Sequence, residues 1–214
     1  MKTSLKIIVL LFMVILLSNC SSTNKYMVKD TDEYSKVTAK FIGDWGVDQY
    51  TVDGENQLKS KYEKISANFD FLTKTVKLNI WVAEGTIADK LLDWKKEFPG
   101  IKVNEYKITY TANWEVTFDG ENLVLSNANT DLIIKGDGKN FDGFYQWEKS
   151  KFNMAKSVDD GSLIGSALGS LTQAATGTSD LFPEIEDSYK IYSVADDGSK
   201  IKLMDDDNII ELVK

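Results

Sequence analysis

Apolar and polar residues alternate along much of the chain with a period of two. The clearest run has an apolar side chain at every even position from Tyr106 to Phe118 and a polar residue at each odd position between them. Such alternation is typical of a strand with one dry face and one wet face. At about 3.4 Å per residue this run spans roughly 40 Å, so we expect a bend or a bulge near Ala112 and Asn113.

Short turns separate the alternating runs. Six of the 14 glycines follow an aspartate, and Asp-Gly suits hairpin turns whose two central residues both adopt positive φ. Repeated short strands with such turns predict an all-β fold, an antiparallel up-and-down β-barrel of 8–10 strands; a sheet of this size otherwise splits into two layers. The predicted strands are 40–52, 61–72, 74–83, 102–118, 121–127, 130–136, 143–152, 188–195, 199–204 and 208–213.

Two stretches interrupt the period of two. Residues 86–98 place apolar side chains on one helical face, starting at Ile87, and Pro99 ends the pattern. Residues 160–177 are rich in small residues, with glycines spaced four apart. We interpret these stretches as one or two short helical insertions, the second within a Gly/Ser-rich insertion at 155–183 whose role the sequence leaves open.

The N-terminal block has the form of a secretory signal. Ile7–Leu17 is uninterrupted apolar sequence, preceded by Lys2 and Lys6 and followed by Cys20, the single cysteine of the chain. The block is too short to cross a bilayer as a helix, which takes about 20 residues. The stretch Leu17-Ser18-Asn19-Cys20 resembles the lipobox of bacterial lipoproteins. This resemblance implies cleavage before Cys20, a diacylglyceryl thioether on its sulfur and an acylated amino terminus; an ordinary signal peptide or a buried thiol are the alternatives.

The lipobox divides the chain into three parts. We expect residues 1–19 to form the signal peptide, 20–39 a polar lipidated tether, and 40–214 the β-barrel domain. Acyl chains hold a protein on a membrane durably, because each buried CH₂ contributes about 0.8 kcal/mol. We therefore expect a lipid-anchored protein of the cell envelope. Ser21 resembles the residue after the cysteine in outer-membrane lipoproteins, and the sequence does not say which membrane face the domain occupies.

The charge of the chain limits its partners. Its formal charge is −8, and removal of residues 1–19 deletes two lysines and no acid, which brings the charge to −10. An acidic surface repels nucleic-acid phosphates and anionic headgroups. We therefore expect no nucleic-acid partner, and a membrane attachment made by the lipid rather than by a basic patch.

The residue types argue against catalysis. The chain has no histidine and no arginine, which removes imidazole proton transfer, His-ligated zinc and bidentate guanidinium contacts. Ser199 and Lys202, three apart on a predicted strand, point to opposite faces, and no spacing selects a catalytic carboxylate pair. Asp205–Asn208 offers oxygen ligands for calcium, yet a charged hairpin turn explains the cluster better. We expect no enzymatic activity, no metal and no cofactor.

The start of the barrel domain carries a family resemblance. Phe41-Ile42-Gly43-Asp44-Trp45 resembles the G-x-W motif of lipocalins and of the lipocalin-like lipoproteins common in Bacteroidota. The resemblance implies an eight-stranded barrel in which Gly43 and Trp45 are structural residues at the closed end. In that family an arginine of the last strand stacks on the tryptophan, so in this chain a lysine or nothing takes its place.

One strand face must line the barrel. The aromatic residues of the long run, Tyr106, Tyr110 and Trp114, are the candidate ligand-binding residues, with Trp147 as a fourth. A barrel of this size either holds one small apolar ligand or is filled by its own side chains. The first case predicts a lipoprotein that binds or carries a small hydrophobic molecule. The second predicts an interaction lipoprotein that binds an envelope protein through its outer face or its Gly-rich insertion.

Overall fold

The computed structural model of the protein describes residues 32–117, 119–159, 181 and 183–214. Cys20 and the glycine-rich stretch 160–177 lie outside these residues. Among the helices that are described, none has the length and apolar character needed to cross a bilayer. The described elements are α1 (Asp32–Phe41), β1 (Gly43–Val52), β2 (Glu55–Asn56), β3 (Tyr62–Phe69), β4 (Thr75–Val82), α2 (Glu84–Glu97), β5 (Lys102–Val116), β6 (Asn122–Asp137), α3 (Phe141–Asp159), β7 (Ser188–Val194), β8 (Lys200–Asp205) and β9 (Asn208–Val213).

These strands form one antiparallel sheet that closes on itself. Their order is β2-β1-β3-β4-β5-β6-β7-β8-β9, and β1 also pairs with β9, from Gly46 with Val213 to Thr51 with Ile209. β2 adds only a two-residue hairpin to β1 across the Asp53-Gly54 turn. The other strands therefore surround one interior, and the predicted all-β, barrel-like fold is confirmed.

Strand β5 behaves as its alternation predicts. Every described even position from Tyr106 to Val116 is buried, because these side chains point into the ring. The pairing of β5 with β6 shifts register between Thr111 and Asn113. The bulge expected near Ala112 and Asn113 is thus confirmed.

The prediction of two strands at 121–127 and 130–136 is wrong in one respect. The structure has a single strand, β6, which pairs with β5 along almost its whole length. Residues 126–129, three of them polar, are exposed and interrupt the alternation, and Asn127 has φ of 52°. β5 nevertheless supplies hydrogen-bonding partners on both sides of this interruption, so the strand continues through it.

The predicted strand 143–152 is also wrong, because these residues lie in helix α3. Phe144, Glu148 and Phe152 are buried at intervals of four, which is one face of a helix. The Asp142-Gly143 pair lies in the first turn of this helix and not in a hairpin. The helix predicted at 86–98 is confirmed as α2, which buries Ile87 and Trp94.

Helices cover both ends of the ring. The end that carries the β3–β4, β5–β6 and β7–β8 turns also carries α1, and we call it the α1 end. The opposite end carries α2 and α3, and we call it the α2/α3 end. Tyr34, Thr38 and Phe41 of α1 are buried, at helical spacing. Helix α1 is a correction to the prediction, which placed residues 32–39 in the polar tether.

Candidate functional site

The G-x-W residues lie at the α1 end. Gly43 has φ of 108°, a conformation that residues with a Cβ rarely adopt. Trp45 is buried and its indole Nε1 donates a hydrogen bond to the Phe41 carbonyl oxygen at 2.6 Å. The Lys214 Nζ lies 4.5 Å from the centroid of the Trp45 ring, which is the kind of cation–π contact that the missing arginine would make.

Trp114 belongs to an aromatic cluster beside α1. Its ring centroid lies 5.9 Å from that of Phe41 and 5.5 Å from that of Phe69. Its Nε1 donates a hydrogen bond to the Asp70 carbonyl oxygen at 3.2 Å. Trp114 is fully buried, so it closes the α1 end as a core side chain.

An ammonium group is enclosed by aromatic rings at the rim of this cluster. The Nζ of Lys74 lies 4.0 Å from the ring centroid of Phe71, 4.7 Å from that of Trp114 and 4.9 Å from that of Tyr34. This Nζ is buried and has no hydrogen-bond partner among the described residues. The three rings therefore supply the contacts that replace its hydration.

Tyr106 lies at the α2/α3 end in a different environment. Its ring stacks on Trp94 of α2, with centroids 5.8 Å apart and planes 8° apart. Its hydroxyl donates a hydrogen bond to Oε1 of Glu148 at 3.0 Å. Glu148 is buried, and Oε2 has no partner among the described residues. Burial raises the pKa of this carboxyl group, although the Tyr106 hydrogen bond and two lysines oppose the increase.

The four predicted ligand-binding residues do not form one site. Tyr110 lies between Tyr106 and Trp114 on β5, where burial, with a smaller effect of the Asp187 charge, raises its pKa to about 12. Trp147 lies on α3, half-buried, and not on a strand of the ring. The structure thus places two of these residues at opposite ends of the barrel, one between them and one on a covering helix.

The apolar cavity of the barrel is small. Its volume is about 40 Å³, enough for roughly three water-sized spheres. Its wall comes from seven strands and from residues 183–185, and β5 contributes no side chain to it. None of the four predicted ligand-binding residues lines this cavity. Residues on its wall include Tyr50, Phe69, Leu125, Ile185 and Tyr189.

Two tyrosines hold the segment that closes part of this cavity, and a third binds the chain just before it. We call residues 183–187, which precede β7, the wall segment. Burial raises the pKa of the Tyr50 and Tyr189 hydroxyls, so they remain protonated donors or acceptors. Sequence analysis missed these three residues, because they lie on different strands. The Tyr50 hydroxyl donates a hydrogen bond to the Glu184 carbonyl oxygen at 2.6 Å, and the Tyr189 hydroxyl accepts one from the Glu186 amide at 2.9 Å. Just before the segment, the Tyr62 hydroxyl donates a hydrogen bond to the Leu181 carbonyl oxygen at 3.3 Å.

A larger and more polar cavity, of about 380 Å³, lies beside the start of α2. Glu63, Glu84 and Glu105 are on its wall together with Trp81. Glu105 accepts a hydrogen bond from Trp81 Nε1 at 3.2 Å and forms an ion pair with Lys135 at 2.9 Å, and the lysine lowers its pKa. The carboxylate of Glu105 is therefore already paired within the protein.

Within the described residues, no group of three or more histidine, cysteine, aspartate or glutamate side chains is arranged to hold a metal ion. Asp205 pairs with Asn208 across the β8–β9 turn, which is the charged hairpin turn that the sequence predicts.

Comparisons with family models, with curated proteins and with solved structures find no match to this chain. The resemblance to lipocalins and to lipoproteins therefore rests on the residues quoted above.

Proposed function

We propose that the protein is a non-enzymatic lipoprotein of the cell envelope, anchored through Cys20, and that its filled barrel binds an envelope protein on its outer surface. The observation that carries this proposal is the interior cavity of about 40 Å³. Sites for small organic ligands usually enclose several hundred Å³. The cavity of about 380 Å³ beside α2 has that size, but three glutamates on its wall make it unsuited to a small hydrophobic molecule. Of the two functions expected from the sequence, the interaction lipoprotein is therefore the better supported.

The two ends of the ring support the same proposal. At the α1 end, Phe41, Phe69 and Trp114 pack together in a buried cluster. At the α2/α3 end, Trp94 packs against both Tyr106 and Phe144. A ligand that entered from either end would have to displace aromatic side chains that already make these contacts, and this would cost the free energy of their burial.

The outer surface of the α2/α3 end offers apolar area for a partner. Leu92 on α2 is 61% exposed and Met154 on α3 is 45% exposed. Exposed methionine and leucine side chains on helices suit contact with another protein.

Anchoring is tested by metabolic labelling with palmitate. The full chain should incorporate the label, and a Cys20→Ser variant should not. Equal labelling of the two chains would contradict the anchor.

The filled interior is tested on natively purified protein. Solvent extraction should release no stoichiometric non-covalent lipid, and fatty-acid titration should leave Trp fluorescence unchanged. A molar equivalent of bound lipid would instead favour the ligand carrier.

The partner is tested by photo-crosslinking in cells. A photoreactive amino acid at Leu92 should give a discrete protein adduct, and the same amino acid at Tyr192, which is 62% exposed on β7, serves as the matched control. The absence of a discrete adduct at position 92 would contradict a partner on this surface.

A further inference from the structure

We infer that the β3–β4 turn of the α1 end inserts Phe71 and Leu72 into the surface of the lipid bilayer, so that the barrel is held with its α1 end towards the membrane. This inference rests on the proposed anchoring through Cys20. It adds a second, non-covalent contact with the same membrane and therefore a defined orientation.

The tip of this turn is unusually apolar. Leu72 is 90% exposed and Phe71 is 43% exposed, and they are consecutive. No other large apolar side chain among the described residues exposes as great a fraction as Leu72. Neighbouring exposed apolar side chains at a loop tip are costly in water and are favourable in the interfacial region of a bilayer.

Hydrogen bonds and a cation–π contact stabilise this turn. Asp70 Oδ1 accepts hydrogen bonds from the Thr73 amide at 2.7 Å and from the Thr73 hydroxyl at 2.9 Å. Lys74 closes the turn with φ of 53°, and its Nζ lies 4.0 Å from the Phe71 ring centroid. Because this ring is packed against Lys74, the turn already presents Leu72 to the surrounding solvent before any contact with lipid.

The chain that leads from the predicted anchor at Cys20 enters the domain beside the β3–β4 turn. Tyr34, near the start of α1, has its ring centroid 4.9 Å from the Lys74 ammonium that also contacts Phe71. Asp32, the first residue of α1, follows Cys20 by twelve residues, which reach at most about 40 Å. A lipid on Cys20 therefore keeps this turn close to the bilayer, at a high effective concentration.

The charges on the turns of the α1 end determine which turn enters the bilayer. The β5–β6 turn carries Asp119 and Glu121, and the β7–β8 turn carries Asp196 and Asp197. These carboxylates favour water and oppose an anionic surface. We therefore expect the barrel to tilt, with the β3–β4 turn in the interfacial region and the two acidic turns in the aqueous layer. The chemistry that this surface recognises is lipid.

The test uses the full lipidated chain and one added thiol. Since Cys20 is acylated, a Leu72→Cys variant has a single free thiol for an environment-sensitive fluorophore. The labelled protein is reconstituted in vesicles of phosphatidylethanolamine and phosphatidylglycerol that contain a nitroxide-labelled lipid. Asp207→Cys in the β8–β9 turn and Asp196→Cys in the β7–β8 turn are the controls, both at exposed positions.

We expect the nitroxide lipid to quench the label at position 72 several-fold more than the labels at 196 and 207. A label at 72 that is as water-accessible as the label at 207 would overturn the inference while leaving the anchor intact. A label at 72 that is shielded from an aqueous quencher and also from the nitroxide lipid would show a protein contact instead, and this too overturns it. Failure of every labelled chain to float with the vesicles would overturn the anchor and the inference together.

Discussion

Glu148 is a carboxyl group that the packing of α3 removes from water. Its native pKa is raised by burial, so the native state holds this proton more tightly than the unfolded chain does. The stabilisation that results is complete below the unfolded pKa of about 4.5 and is lost as the pH rises towards the native pKa. The buried carboxyl therefore makes neutral pH less favourable for this end of the barrel.

The change Glu148→Gln removes this ionisation and keeps a similar shape. We expect the variant to be more stable than the parent at pH 7, and the advantage to disappear below about pH 4. Urea unfolding at a series of pH values measures this difference. Glu121→Gln, at an exposed position, is the control, and an equal pH dependence in both variants would contradict the assignment to Glu148.

Gly43 tests the backbone geometry of the G-x-W motif. An added Cβ at this position has nothing within 4 Å, so the cost of Gly43→Ala comes from its φ of 108° alone. We expect a loss of about 1–3 kcal/mol in the free energy of unfolding. Gly85→Ala, in the first turn of α2 and also in open space, should raise stability by up to about 1 kcal/mol. Thermal unfolding of both variants measures the contrast.

At the scale of the element, local periodicity determines what the sequence reveals. The strand β5 was predictable with its bulge, because its inward side chains are apolar at each described even position from Tyr106 to Val116. Helix α3 was not, because Asp142-Gly143 resembles a hairpin turn and Glu148 is a charged residue on the buried face. Helix α1 was also not predicted, because its buried face carries the polar Thr38 between the aromatic Tyr34 and Phe41.

Substitution of Phe41 tests whether α1 packs as part of the folded domain. It is fully buried and its ring centroid lies 5.6 Å from that of Phe69. We expect Phe41→Ala to lower the free energy of unfolding by about 3–5 kcal/mol. Lys40→Ala, at the adjacent exposed position, should change it by less than about 0.5 kcal/mol. Similar denaturation midpoints for the two variants would contradict the packing of α1.

Substitution of Tyr50 tests how much its hydrogen bond stabilises the wall segment. Tyr50→Phe removes the hydrogen bond to Glu184 O and should cost about 0.5–1.5 kcal/mol. Hydrogen exchange should become faster at the backbone amides of residues 184–187. Tyr192→Phe, at an exposed position, should leave both quantities within error of the parent. Unchanged exchange in Tyr50→Phe would mean that the segment is held by other contacts.

At the scale of the whole molecule, the ring was predictable and the filling of its interior was not. Alternation shows which side chains point inwards, for example Tyr106 and Trp114, but does not show what they contact. The contents of the cavity depend on side chains from seven strands and on the wall segment, which lie far apart in the sequence. The same holds for the Lys74 ammonium, whose three aromatic neighbours come from α1, β5 and the β3–β4 turn.

The first strand of the barrel, β1, pairs with the last, β9, so one edge of β1 has no partner until β9 has been made. Five of the ten residues of β1, all within Gly46–Thr51, pair with residues 209–213. During synthesis from the N-terminal end, this edge stays unpaired until the final strand has been made. The protein is consequently most vulnerable to proteases and to intermolecular strand pairing just before its last few residues arrive, and a chain that stops short of β9 keeps both edges open.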